Sequence, residues 1–431
     1  MVRALAATLA VGVLLSPAPV TAAPTDADLG DVGTFLSLFP NARTLPAPAF
    51  LVPGVRISYA TGAGTTSGGT TVGGMSILQY DVVARDAGQV TAYLHSYGDI
   101  GAGVFQLSSG SAVGYPGIGP FWINPSVLVG AERFANANLS VSRYQKTIAD
   151  GTTLAVIRFQ TATANGTTVT EFDTQSGVMV FDSVRAGSLN GGQVVLLGMR
   201  QLPAPWVFDR APNWARAGVG LQYTGTRSTT IPAAGTVQQA YGITAQVTAA
   251  GARWNQLTVA TTLAGQPQGA GPSVTGAGQV LGGFWVPRSA LAAQLPTTPT
   301  AFDTDPITGA QLRVMRDPQS GLIVLQEATQ AALTSLAYDP NLGVLVRFNQ
   351  QVQQQTSFTE DDVTLTGGSD LNALNQQPEL PDDPGAAGGA GTGGGGGGGD
   401  GGCSGGGPAP AWLLAGLALA ALGRGARRRK C

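Results

Sequence analysis

The chain has 431 residues, of which only 11% are charged and 63 are Gly, with a formal net charge of −2. A charge balance this close to neutral, without a basic face along the body, argues against nucleic acid as a partner. The single His excludes a multi-histidine metal site, and residues 1 to 402 contain no Cys, so an ordinary apolar core must hold the body together.

The N-terminus reads as a secretory signal over residues 1–22. Arg3 supplies the basic start, Ala4 to Leu15 the apolar run, and Val20-Thr21-Ala22 the small-residue site at which signal peptidase would cut after Ala22. A short lead, 23–44, precedes the body.

From 45 to 350 the sequence predicts an all-β protein. Short runs rich in branched residues, such as Leu154 to Phe159, Val178 to Phe181 and Leu322 to Leu325, are bounded by Gly, Pro, Asn or Asp. Two prolines open short helices, at Pro125 to Phe134, with Asn124 as cap, and at Pro287 to Leu295. These helices expose a repeat. Phe121-Trp122 returns as Phe284-Trp285, Phe172 to Val180 as Tyr338 to Val346, and Gly54 to Tyr59 as Gly218 to Tyr223, in the same order. The pattern is a tandem duplication, residues 45–200 and 202–350, joined at Pro203-Ala-Pro205. Each half is expected to be an antiparallel sheet with one short helix, arranged as a sandwich, clamp or open barrel.

Four segments of the form Asp-x-x-x-Gly, beginning at Asp173, Asp305, Asp317 and Asp339, set the strand pairing. Asp accepts from the backbone as the turn opens and Gly takes the positive φ as it closes, so each marks a hairpin. Asp303-Thr-Asp305 has a faint calcium-loop look, but calcium wants six or more oxygens and turn chemistry is the simpler reading. No metal and no cofactor are expected.

Catalytic groups are scarce. His95 is expected to be a solvent-facing strand residue, because polar residues alternate around it; a Ser-His-Asp site would have to use it with Asp99 or Asp81. Gly402-Cys-Ser-Gly-Gly406 matches a nucleophile pattern only formally, without the strand and helix that pattern needs. Paired carboxylates are the remaining route to an enzyme, with Glu132, Glu171, Asp182 and Glu327 as candidates for sugar hydrolysis. No catalytic residue is assigned. Phe121, Trp122, Phe284 and Trp285 read as core plugs between helix and sheet, or as the lining of a site for an apolar ligand.

Beyond 350 the composition turns to Gln, acids, Pro and Gly, and 351–402 reads as a disordered stalk. Gly402-Cys403-Ser404, a fourteen-residue apolar run from Ala409 to Leu422 and five cations at Arg424, Arg427, Arg428, Arg429 and Lys430 follow. Basic residues behind an apolar run place that end on the cytoplasmic side, while fourteen residues fall short of the ~20 a span needs. This tail, 403–431, resembles the MYXO-CTERM sorting signal of myxobacterial surface proteins. The resemblance implies recognition by a membrane-embedded sorting protease, processing at Cys403 and tethering to the membrane at the cell surface. Processing at both ends would leave 17 basic against 25 acidic residues, a charge of −8.

The expected protein is therefore exported, tethered at the cell envelope through its C-terminus, and non-catalytic, serving in binding or as an envelope component. An extracellular hydrolase using carboxylates of one repeat, and a carrier of lipid or another apolar ligand, are the alternatives.

Overall fold

The structure, a computed structural model, describes residues 24–381 apart from 68–69, 100–102, 164–165, 187–188, 205, 208, 280 and 282. Ala22 and Cys403 lie outside the described residues. No helix among the described residues is long and apolar enough to cross a membrane.

The body consists of two tandem antiparallel β units with one shared plan. In the first, β1 (Val55–Ser67), β2 (Thr70–Arg85), β3 (Val90–Asp99) and β4 (Val104–Gly114) walk from the middle of a sheet to its edge. A crossover holding β5 (Ile118–Gly119), β6 (Trp122–Ile123) and 3₁₀ turns at Pro125–Leu128 and Ala131–Phe134 carries the chain to the opposite edge. From there β7 (Leu139–Thr147), β8 (Thr153–Thr163), β9 (Gly166–Asp173), β10 (Met179–Ala186) and β11 (Leu189–Gln201) walk back, and β11 pairs with β1.

The second unit repeats the walk. Its outward strands are β12 (Gly220–Ile231), β13 (Gly235–Ala250), β14 (Trp254–Leu263) and β15 (Gln266–Gly276). After helix α1 (Arg288–Ala292) the return runs through β16 (Thr300–Thr304), β17 (Gln311–Arg316), β18 (Ile323–Ala328), β19 (Ala332–Tyr338), β20 (Leu345–Gln353) and β21 (Phe358–Gly368), which pairs with β12. The sheets have nine and ten strands, and the extra strand is β16 at the far edge. Each is a single open sheet wrapped on its own core rather than half of a sandwich.

The duplication extends to individual hydrogen bonds. Met179 N–H donates to Phe121 O and Leu345 N–H to Phe284 O, both at 2.9 Å. Tyr59 donates its hydroxyl to Met179 O and Tyr223 to Leu345 O, both at 3.0 Å. All four Asp-x-x-x-Gly segments close as turns, with the Gly N–H donating to the Asp carbonyl and Gly177, Gly309, Gly321 and Gly343 at φ between 68° and 80°.

Two boundaries differ from the sequence reading. Residues 26–44 do more than lead into the body: 3₁₀ helices at Asp26–Ser37 and Pro40–Thr44 lay Leu29, Val32, Phe35 and Phe39 into the first core, where Phe35 meets Phe159 edge to face at 4.8 Å. The stretch from 351 is likewise no stalk at its start. It carries β21 between β12 and β20, with Val363 fully buried, and then helix α2 (Leu371–Asn375). Composition misleads there because the acids are paired: Asp361 with Arg227, Asp362 with Arg347, and Glu360 with Asn349 and Gln351. The second unit therefore runs on to about residue 380, where Arg210, Asn213 and Arg216 hold the backbone carbonyls of Leu380, Gln377 and Pro378.

The turn glycines separate strain from clash. A Cβ on Gly321 meets nothing within 4 Å, whereas one on Gly177 would lie 1.9 Å from Ile123 O. Gly321→Ala should cost about 1 kcal/mol for its positive φ, and Gly177→Ala at least about twice that. Equal losses in denaturant melts would show that the Gly177 contact is soft.

Candidate functional site

The densest collection of functional side chains sits on the outer face of β1, β2 and β3. Strand alternation sends Ile57, Tyr59, Leu78 and Val82 to the core and turns Arg56, Ser58, Gln79, Asp81, Tyr93, His95 and Tyr97 the other way. An outer face of this kind is ordinarily wet. Here it is buried, because the second unit packs across it: Val83, Ala84 and Tyr93 form an apolar cluster with Ala249, Trp254 and Val274.

The charges are matched across that seam. Arg56 grips Asp81 with both arms of its guanidinium, Nε to Oδ1 at 2.7 Å and Nη2 to Oδ2 at 2.8 Å. His95 Nε2 lies 2.9 Å from the same Asp81 Oδ2. From the second unit, Asp305 Oδ2 accepts from Arg56 Nη1 at 3.2 Å, Gln79 Nε2 at 3.0 Å and Arg200 Nη2 at 3.1 Å. Asp303 accepts from Arg200 Nη1 at 2.9 Å and shares Nη2, at 2.7 Å, with Asp305, and Tyr97 donates its hydroxyl to Glu327 at 2.7 Å.

Asp305 does two jobs at once. Its Oδ1 accepts from the backbone N–H groups of Ile307 and Thr308, as a turn-opening Asp should, while Oδ2 enters the first unit. The faint calcium-loop pattern thus resolves into a turn whose carboxylates meet guanidinium groups. Among the described residues no group of three or more His, Cys, Asp or Glu is placed to hold a metal ion.

The electrostatics are those of a structural lock. Burial by itself would raise the Asp81 carboxyl, but the attraction of Arg56 and then of His95, with hydrogen bonds from both, holds it well below the usual carboxylate range. Asp305 is likewise pushed up by burial and pulled further down by Arg56, by the N–H groups of its own turn and by Arg200. Desolvation opposes the charge on Arg56, yet Asp81 foremost, and Asp305, keep it firmly protonated.

His95 corrects the sequence expectation. It is 1% exposed rather than solvent-facing, with Tyr93 edge-on at 4.4 Å and Tyr97 stacked at 6.0 Å. Asp81 is indeed its carboxylate partner, but among the described residues no hydroxyl reaches its other ring nitrogen and no Ser-His-Asp arrangement forms. Alternation is the same for a wet face and for one covered by a later part of the chain, which is why the pattern misled.

The four candidate carboxylates stand apart. Glu132 is exposed and paired with Arg143. Glu171 lies on the outer face of the return strands under Lys146 at 2.7 Å, and Lys146 also stands 4.7 Å over the Phe181 ring. Asp182 pairs in register with Thr170 and accepts its hydroxyl at 2.6 Å, so it is on the sheet face opposite to Glu171. Glu327 belongs to the seam. No two of them flank a common space.

The aromatic pairs are core. Trp122 is fully buried, and the α-carbons of Gly114 and Gly119 press on its indole so closely that a Cβ on Gly119 would lie 2.1 Å from the ring. Phe121 is fully buried, Phe284 and Trp285 are buried in the second core, and Trp285 donates its indole N–H to Asn255. Two open cavities, of about 410 and 550 Å³, lie elsewhere, beside α2 at the base of the second unit.

Sequence reasoning did not single out Arg56, Arg200 or Asp305 as a site. The available signal was the contrast between the copies: Arg56 pairs with Asp81 where Gly220 pairs with Gln246. In the second unit the matching positions Gln222, Thr244, Gln246 and Thr258 are exposed and uncharged.

Comparison with known proteins gives little. No family model matches the chain, and no curated protein matches it. Among solved structures it is similar to a protein of unknown function from the DUF3598 family of Nostoc punctiforme, at 11% identity and a TM-score of 0.16, over 74% of this chain and 97% of that one. A candidate AttH from Nitrosomonas europaea matches at 8% identity and TM-score 0.16, over 72% and 92% of the two chains. A candidate lipoprotein from Parabacteroides distasonis matches at 13% identity and TM-score 0.12, over 75% and 100%. Likenesses at these scores establish neither fold nor function.

Arg56→Ala would leave Asp81 and Asp305 buried beside one cation fewer, and should cost about 3–5 kcal/mol in denaturant unfolding. A loss below 1 kcal/mol would show that the seam is wet. The depressed Asp81 and Asp305 carboxyls contribute stability above about pH 4, lost as the pH falls below it. Asp182 behaves oppositely. Burial and the neighbouring Asp31 carboxyl push it up to about 6, against the pull of the Thr170 hydroxyl. Its contribution is greatest below about pH 4 and fades as the pH rises towards 6. Asp182→Asn should therefore gain about 1–3 kcal/mol at pH 7.5 and little at pH 4; a pH-independent effect would refute the assignment.

Proposed function

We propose that the chain is an exported β scaffold tethered at the cell envelope through its C-terminus, without a catalytic centre, and that it acts by binding or as a structural component of the envelope. The observation that carries this reading is the use of the reactive groups. The only His, Asp81, Asp305 and Arg56 are spent at the seam between the two units and sealed from solvent, with Arg200 part-buried beside them. A body whose scarce charges serve rigidity is suited to presenting surface at a distance from its support.

The way the chain leaves the body supports a tether. Arg210 and Arg288 pair with Glu379, and Arg210 and Arg216 hold the carbonyls of Leu380 and Pro378. Tension on the tail would reach the body through this clamp and through β21, which is hydrogen-bonded on both sides. At the other end Pro24, two residues past the expected cut at Ala22, is already buried, so a cut at that point would leave almost no loose N-terminus.

The test is the intact mass of the protein recovered from cell envelopes. Wild type should lack residues 1–22 and the segment behind Cys403, and Cys403→Ala should be exported with its arginine cluster retained. Full-length chain in the cytoplasm would overturn the reading, and normal trimming of Cys403→Ala would remove Cys403 as the processing determinant.

A further inference from the structure

Among the described residues the two large sheets end in four edge strands. β4 and β15 lie against one another where the two units meet, and β16 is only five residues long. The remaining edge is β7, nine residues pairing with β8 alone. Asn138 O accepts from Ala162 N–H, and in an unbroken antiparallel register this fixes which rungs point outward. Val141, Arg143 and Gln145 each turn their backbone N–H and C=O away from β8, towards the open edge.

An exposed edge is usually guarded by charge or by proline. β7 has no Pro, and its two cations have been drawn off the edge. Arg143 folds inward to Leu128 O and Glu132, and Lys146 folds across the outer face to Glu171. Gln145 is exposed.

The duplicated unit shows what belongs there. The strand matching β7 is β17, and its edge is covered by β16, with Thr300 opposite Val314 and Thr304 opposite Gln311. β16 also sets Phe302 against the second core, at 6.1 Å from Trp206. The chain that forms β16 lies in the 18 residues between α1 and β17; the matching stretch of the first unit, 129–138 after the turn at Pro125–Leu128, is ten residues long and forms the 3₁₀ turn at Ala131–Phe134 instead of a strand. The first unit therefore keeps the ladder and lacks the cover, and Leu139, Val141 and Phe134 stay only partly buried beside the gap.

We propose that the β7 edge is a binding site for an extended segment of a partner protein, which adds a tenth strand to the first sheet by backbone pairing. The segment has the chemistry of β16: about five extended residues, neutral or acidic, with one aromatic or large apolar side chain turned towards Leu139 and Val141. A second copy of this chain fits poorly, because the core-side positions of β7, Leu139, Val141, Arg143, Gln145 and Thr147, include no aromatic side chain to lay over the rim as Phe302 does. The site deepens the binding reading given above, and a failure here would leave the export reading to be decided by the mass measurement alone.

The probe is a fluorescent peptide with the sequence of residues 298–305, titrated against the purified chain and followed by anisotropy. Saturable binding is expected, weakened at least ten-fold by Gln145→Pro, which removes an outward N–H donor, and kept by Gln145→Ala, which retains it. Replacing the peptide's Phe by Ala should also weaken it. Should Gln145→Pro fail to fold, amide exchange in the wild type decides: Val141, Arg143 and Gln145 should slow when the peptide is added. No saturation at millimolar peptide, equal binding by a folded Gln145→Pro variant, or unchanged exchange would each overturn the site. A concentration-dependent dimer lost in Gln145→Pro would overturn the partner assignment in favour of a second copy.

Discussion

Arg56 and Arg200 face each other across neighbouring strands β1 and β11, and two guanidinium groups at that spacing repel unless an anion comes between them. The anion is the Asp305 carboxylate, supplied from the other unit some 250 residues along the chain. Both groups are desolvated in the closed seam, so removing either one there leaves the other short of a counter-charge, among the costliest defects a protein can carry. Mutual dependence of this kind joins two sheets that, among the described residues, share no hydrogen-bonded strand.

The same constraint accounts for the divergence of the duplicated halves. Both copies keep the outward walk, the crossover with its Phe-Trp pair and the closing strand, because these residues fill the core. The outer faces answer to different neighbours. In the first unit that face receives the second unit and carries the Arg, Asp, His and Tyr that match it. In the second unit the matching positions, Gln222, Thr244, Gln246 and Thr258, are exposed and uncharged. Gly220 stands where the first unit has Arg56, so the pair of guanidinium groups that seats Asp305 is not repeated there.

The far edges diverge as well. An insertion before β17 gives the second sheet its tenth strand and lays Phe302 across the rim of the core, and the first sheet ends bare at β7. Tension between a finished and an unfinished copy of one sheet is visible only when both are superimposed in register. Neither edge carries a signature in its own sequence that separates it from an ordinary strand.

The sequence by itself determined the all-β class, the antiparallel pairing, the doubling of the unit and the turn chemistry, because all of these follow from local rules. Branched residues bounded by breakers make strands, Asp-x-x-x-Gly makes a turn through bonds within five residues, and a repeated Phe-Trp marks a repeated core. Tertiary structure alone decided that His95 and Asp81 are sealed rather than wet, that Asp305 serves a partner 249 positions away as well as its own turn, and that the acids of 360–362 belong to a strand between two others. Alternation reports that a strand has two unlike faces; whether the polar one meets water or another part of the chain depends on packing between residues remote in sequence, and no local pattern encodes that.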